Sequence, residues 1–141
     1  FGQAADEIIM RFEDAVNGRE YPKPDVTLEM KMFDILRNEG IDKLESSLKD
    51  LLDKYGMLYN DRHLNFFGYE LMNDNRLDEA IEVFKLNVKL FPGEPNVWDS
   101  LAEAYMNKGE NELAITNYKK VLELAPNNSN AKKMLEKLGA K

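Results

Sequence analysis

From Asp61 to Pro126 the chain is one pattern written twice. Displaced by 34 residues, Met72-Asn73 falls on Met106-Asn107, Ala80-Ile81 on Ala114-Ile115, Lys85 on Lys119, Leu90 on Leu124 and Pro92 on Pro126. Seven identities thus fall within one repeat length, where ordinary residue usage would give about two. The substitutions keep shape: Leu64 meets Trp98, Phe84 meets Tyr118, and Gly68 meets Ala102. A fixed period of this kind constrains the fold more than any composition. Each unit is too small to bury its own apolar side, so the units must stack.

Within each copy the apolar residues stand three and four apart, the spacing of a helix rather than a strand. Leu64, Phe67, Gly68 and Leu71 share one face, and Trp98, Leu101, Ala102 and Tyr105 repeat it. A break follows at Asn73-Asp74-Asn75 and at Asn107-Lys108-Gly109, where Asn75 and Gly109 tolerate the left-handed conformation that ends a helix. A second face runs through Ala80, Ile81, Phe84 and Val88, echoed by Ala114, Ile115, Tyr118 and Leu122. Pro92 and Pro126 then stop the helix, because proline lacks an N–H and clashes with the preceding turn. Each copy reads as an antiparallel helical pair, with small residues at the crossing and an aromatic ring beside them.

On these residues both copies resemble the tetratricopeptide repeat. The second carries its pattern at Trp98, Leu101, Ala102, Tyr105, Gly109, Ala114, Tyr118 and Pro126; the first at Leu64, Phe67, Gly68, Leu71, Ala80, Phe84 and Pro92. The resemblance implies an all-α fold of hairpins stacked as a short right-handed solenoid, with the first helix of each pair on the concave side. It also implies a non-catalytic scaffold that holds a segment of another protein there. By the family's offsets the ligand-facing positions are Arg62, Asn65, Tyr69 and Met72 in the first copy, and Asn96, Asp99, Glu103 and Met106 in the second. Some relatives grip a C-terminal carboxylate with a lysine–asparagine clamp on this surface. Asp99 and Glu103 occupy the corresponding places here, so a basic or mixed apolar segment fits better than a carboxylate-ending one. Tyr69, Met72 and Met106 would add an adaptable apolar strip.

The flanks complete the array. Residues 3–16 read as a helix with Ala5, Ile8, Ile9, Phe12 and Val16 along one side, and a linker with Pro22 and Pro24 follows, together making residues 1–24. Residues 25–60 form a degenerate hairpin: Thr27 caps a helix with Leu28, Met32, Ile35 and Leu36, Gly40 closes it, and its partner carries Leu44, Leu48, Leu51 and Leu52. Residues 61–126 are the two clear repeats, and 127–141 a capping helix with Ala131, Met134, Leu135 and Leu138. Because such stacks need about three units, the degenerate hairpin reads as structural.

Composition removes several function classes. In 141 residues there is no cysteine and one histidine, His63, so the sequence offers no thiolate or histidine-rich metal site. No cofactor motif is present: the chain lacks a Gly-rich phosphate loop and a Gly-x-Ser-x-Gly elbow. Net charge is −7, divided as +3 over residues 111–141 and −10 over residues 1–110. An acidic body disfavours nucleic acid, whose binding rests on neutralising phosphates. No run approaches a membrane span, and no signal peptide is visible. Cytoplasm and periplasm both remain open. The first residue is Phe1 rather than methionine, so the natural chain is expected to continue upstream.

Ser46-x-x-Lys49 and Tyr105-x-Asn107 match two elements of penicillin-recognising serine hydrolases, but the Lys-Thr-Gly element is missing. Ser46 lies on the polar side of an amphipathic helix and Tyr105 already serves the repeat, so this stretch is read as non-catalytic. The layout nevertheless resembles the tail that follows the catalytic domain in some bacterial β-lactamase-like serine hydrolases, through the Asn17-Gly18-Arg19-Glu20-Tyr21-Pro22 linker. Two functions follow. One is a free interaction module; the other is an accessory domain packed in cis on an upstream hydrolase.

Overall fold

Each apolar stripe of the repeated region becomes the inner side of a helix. The computed structural model describes residues 26–140; the helix expected over residues 3–16, its linker and Lys141 lie outside them. The described residues form seven helices: α1 (Leu28–Glu39), α2 (Ile41–Lys54), α3 (Asp61–Asn73), α4 (Leu77–Leu90), α5 (Pro95–Lys108), α6 (Asn111–Leu124) and α7 (Ser129–Lys137). No strand occurs among them. The all-α hairpin stack read from the sequence is the observed fold.

Local chemistry sets the helix ends. Thr27 Oγ1 accepts from the Met30 N–H at 3.2 Å, Asn60 Oδ1 from Arg62 at 3.0 Å, and Asn128 Oδ1 from Ala131 at 2.8 Å, each capping a helix start. The two repeat turns are superimposable in logic. Asn75 takes φ 59° and Gly109 φ 83°, and each is followed by a bond that closes the preceding helix. Arg76 N–H donates to Leu71 O and Glu110 N–H to Tyr105 O, both at 2.9 Å. Asparagine in the first copy does what glycine does in the second.

The hairpin interior depends on close backbone approach. A Cβ placed on Gly68 would fall within 2.8 Å of three Phe84 ring carbons, so α3 and α4 cross at this distance only because position 68 has no side chain. Phe67, Phe84 and Tyr118 are almost completely buried. Each such side chain contributes roughly 1.5–3 kcal/mol. Asn87 is one of three buried polar residues, with Ser100 and Asn117: its Nδ2 donates to Asp61 O at 2.9 Å, and its Oδ1 has no partner among the described residues.

Hairpins then join second helix to first helix: α4 packs on α5 and α6 on α7, while α3 and α5 run side by side. The side of α5 turned to the preceding hairpin is made by Val97, Ser100 and Ala104, all buried. One period earlier α3 presents His63, Phe66 and Glu70, and Phe66 is 54% exposed. The first hairpin does not repeat the contact. It meets the second chiefly through α2 on α4, with Lys89 Nζ 2.8 Å from Glu45 and the Arg76 guanidinium 4.2 Å from the Phe33 ring centroid. Leu44 and Leu48, large where the repeats carry alanine and an aromatic ring, are fully buried there. At the other end α7 repeats the register of α5, with Ala131 and Leu135 buried one period after Val97 and Leu101.

Two stability outcomes follow. Gly68→Leu is expected to cost about 1–3 kcal/mol or more in denaturant unfolding, whereas Gly93→Ala, with open space around it, should stay within about 0.5 kcal/mol. A chain beginning at Arg62 loses the α2 cover on α4 and should melt at lower temperature and less cooperatively than the whole; an identical melt would contradict this packing.

Candidate functional site

The positions expected to face a ligand lie on α3 and α5, and side-chain hydrogen bonds stitch the two helices together. Tyr69 O–H donates to Glu103 Oε2 at 2.6 Å and lies 3.3 Å from Ser100 Oγ. Ser100 O–H donates to Asn65 Oδ1 at 2.5 Å, with the Asn96 carbonyl 3.1 Å away as its alternative acceptor. Further along, Asn130 Nδ2 on α7 donates to both oxygens of Asp99, at 3.0 and 3.2 Å. The result is a continuous polar strip across three first helices.

The eight sequence-derived positions therefore divide. Asn65, Tyr69, Asp99 and Glu103 are partly buried members of this network. Met72 and Met106 are partly buried and pack against the core, so they offer edges rather than free apolar side chains. Tyr69 is likewise held: its ring meets Phe84 edge-on at 5.3 Å and its hydroxyl is engaged. Arg62 and Asn96 are exposed at the helix starts, and neither side chain makes a hydrogen bond or ion pair among the described residues.

Sequence reasoning passed over three members. Ser100 replaces Phe66 of the first copy, a small polar residue for a large apolar one, and only the structure shows that it faces Asn65. Asn130 follows Asn96 by one period, a signal that extending the repeat comparison into α7 would have caught. Tyr118 was assigned wholly to the core and is 1% exposed, yet its hydroxyl lies in the field of Asp99 and Glu103. Burial, then Asp99 and Glu103, push that hydroxyl up to about 12. Tyr69 is raised by burial and by its bond to Glu103. Burial raises the Asp99 carboxyl above its ordinary value, the Asn130 bond opposes the rise, and the neighbouring Glu103 charge adds to it.

Among the described residues no three His, Cys, Asp or Glu side chains gather as a metal site. No helix there is long and apolar enough to cross a membrane. The Ser46 hydroxyl donates to the Lys43 carbonyl at 3.1 Å, the back-bond of an ordinary helix serine, and Tyr105 is buried in the core. His63 is partly buried on α3.

The raised Asp99 carboxyl has a definite stability consequence. The folded chain holds that proton more tightly than the unfolded chain, so stability falls as pH climbs from the unfolded value, about 3.9, through the higher folded one. Asp99→Asn, which keeps an acceptor for Asn130, should therefore raise the melting temperature at pH 7. The gain should vanish at pH values below about 3.9; a gain equal at both ends would refute the assignment.

Comparison with known proteins agrees with the fold. Residues 95–128 match the family model of the tetratricopeptide repeat. Over 94 residues the chain is 32% identical to "Tetratricopeptide repeat domain-containing protein PYG7, chloroplastic" of Arabidopsis thaliana, covering 67% of this chain and 28% of that protein. The chain thus spans under a third of that relative's length. Among solved structures it is similar to the first TPR of Spaghetti (RPAP3) bound to the HSP90 peptide SRMEEVD, with TM-score 0.57, 21% identity, and 79% and 89% of the two chains covered. The first TPR domain of the human RPAP3 protein gives TM-score 0.57 and 21% identity, with 79% and 87% covered. A structure of MamA AMB-1 gives TM-score 0.50 and 20% identity, with 79% and 62% covered. The described residues thus fold as a helical array like the tetratricopeptide repeat, and residues 95–128 match the model of that family.

Proposed function

We infer that this chain is a non-catalytic interaction module that holds a segment of another protein along α3, α5 and α7. One observation carries the reading: the inter-repeat bonds Tyr69–Glu103, Ser100–Asn65 and Asn130–Asp99 align polar groups from three helices into a single preorganised strip. Preorganisation lowers the ordering cost of capturing an extended ligand. A similar fold, the first TPR of RPAP3, has been solved with a peptide bound, which supports a peptide as the class of partner. The character of the ligand follows from charge. With Asp99 and Glu103 at its centre, the strip repels a terminal carboxylate and suits a basic or mixed apolar segment. Lys133 and Lys137 stand one period beyond these acids, so the charge changes sign along the array.

The rival reading has the same strip covered by a serine-hydrolase-like domain preceding Phe1 in the parent protein. Its support is the residues 17–22 linker, which lies outside the described residues. The test is selection of linear peptides by display against the purified chain, followed by affinity measurement on the Asp99→Lys, Glu103→Lys double variant. Loss of binding by about tenfold or more is expected. Selected peptides that bind both forms equally would instead favour a strip that serves contact in cis.

A further inference from the structure

Phe66 stands in α3 where α5 carries Ser100. In α5 that side is buried against the preceding hairpin. The first hairpin sits chiefly on α4 instead, and Phe66 is left 54% exposed. The loop from α2 into α3 adds to the bare apolar surface: Met57 and Tyr59 are exposed, and Leu58 is 78% exposed. The Tyr59 ring meets Phe91 at the end of α4, 5.2 Å between centroids, which ties this loop to the α3–α4 hairpin. Single exposed apolar residues are ordinary, but three in succession leading into an open helix side form a surface that another element covers. Two cations border it. Lys54 and Arg62 are exposed, and neither enters an ion pair among the described residues.

The chain itself supplies a cover of matching chemistry. Ahead of the described residues, Ala5, Ile8, Ile9, Phe12 and Val16 recur at helix spacing. Residues 3–16 also hold four acids, Asp6, Glu7, Glu13 and Asp14, against one arginine, Arg11. A helix of this length draws most of its stability from the surface under its apolar side. The path fits as well. The Val26 carbonyl accepts from the Tyr55 hydroxyl at 2.7 Å, so the described chain starts beside the residue two before Met57. The intervening residues 17–25 can span about 30 Å when extended, more than the length of α3, about 20 Å.

We propose that residues 3–16 dock on the side of α3 that the first hairpin leaves bare, with Phe12 and its apolar neighbours over Leu58 and Phe66. The segment then takes the place that α4 holds against α5, and its acids lie toward Lys54 and Arg62, a charge match that favours this surface over others.

The test uses the full chain. It has no cysteine, so Asp14→Cys, opposite the apolar side of the segment, carries a single nitroxide. In the isotopically labelled chain bearing its own nitroxide, the NMR amide signals of Met57, Leu58 and Phe66 should broaden while those of α7 stay sharp. Adding Phe12→Asp leaves the tether unchanged but puts a charge where an apolar contact is required, and the broadening at Phe66 should fall about fivefold or more. Phe66→Ser, which copies the residue of α5 on an exposed position, should release the segment in the same way, read at Leu58. Sharp Phe66 and Leu58 signals in the labelled chain would overturn the docking. So would broadening that persists through Phe12→Asp, because it would come from the tether alone. Broadening that appears only when nitroxide-bearing chains are mixed with isotopically labelled chains lacking the nitroxide would assign the cover to a second copy and overturn the proposal.

Discussion

The fold hinges on one van der Waals contact, the Phe84 ring lying where a Cβ of residue 68 would be. Because Gly68 is empty, α3 and α4 come close enough for Phe67, Leu71 and Phe84 to fill a shared interior without voids. The same exchange of small for large recurs at Ala102 and Tyr118 in the next hairpin, both buried. That repetition gives the two units one geometry. Side chains at equal offsets on α3 and α5 are then neighbours in space, and the polar strip is a by-product of helix packing.

On that strip this chain places two carboxylates, Asp99 and Glu103. The hydrogen bonds from α3 to α5 and from α7 to α5 order the carboxylates of α5 and leave them uncompensated. Partial burial raises the Asp99 carboxyl above its ordinary value, the Asn130 bond opposes the rise, and the Glu103 charge adds to it. On the proposed reading this charge serves recognition, and its sign disfavours terminal-carboxylate ligands.

Much of this architecture was legible before any coordinates. The period of 34 residues gave the hairpins, and the punctuation at Asn75, Gly109, Pro92 and Pro126 gave their ends, because those residues act through local backbone geometry. Gly68 and Ala80 marked a close crossing for the same reason. The network was less legible, since which side chains meet across hairpins depends on the stacking angle. Ser100 and Asn130 carry no local signature of their roles, and the Tyr118 hydroxyl was masked by its ring's place in the core. The attachment of the first hairpin through α2 on α4 was hidden as well. Phe66 and Glu70 stand in α3 where α5 has Ser100 and Ala104, a comparison that acquires meaning only once the packing side of α5 is known.

The account stands or falls on the crossing of α3 and α4 at Gly68. Nuclear Overhauser contacts between the Gly68 Hα protons and the Phe84 ring, together with a ring-current shift of those protons, measure it directly. Strong contacts and clearly displaced Hα resonances are the predicted result. Ordinary glycine shifts with no Phe84 contact would show that the helices do not cross there, and the alignment of Tyr69 with Glu103 would lose its physical basis.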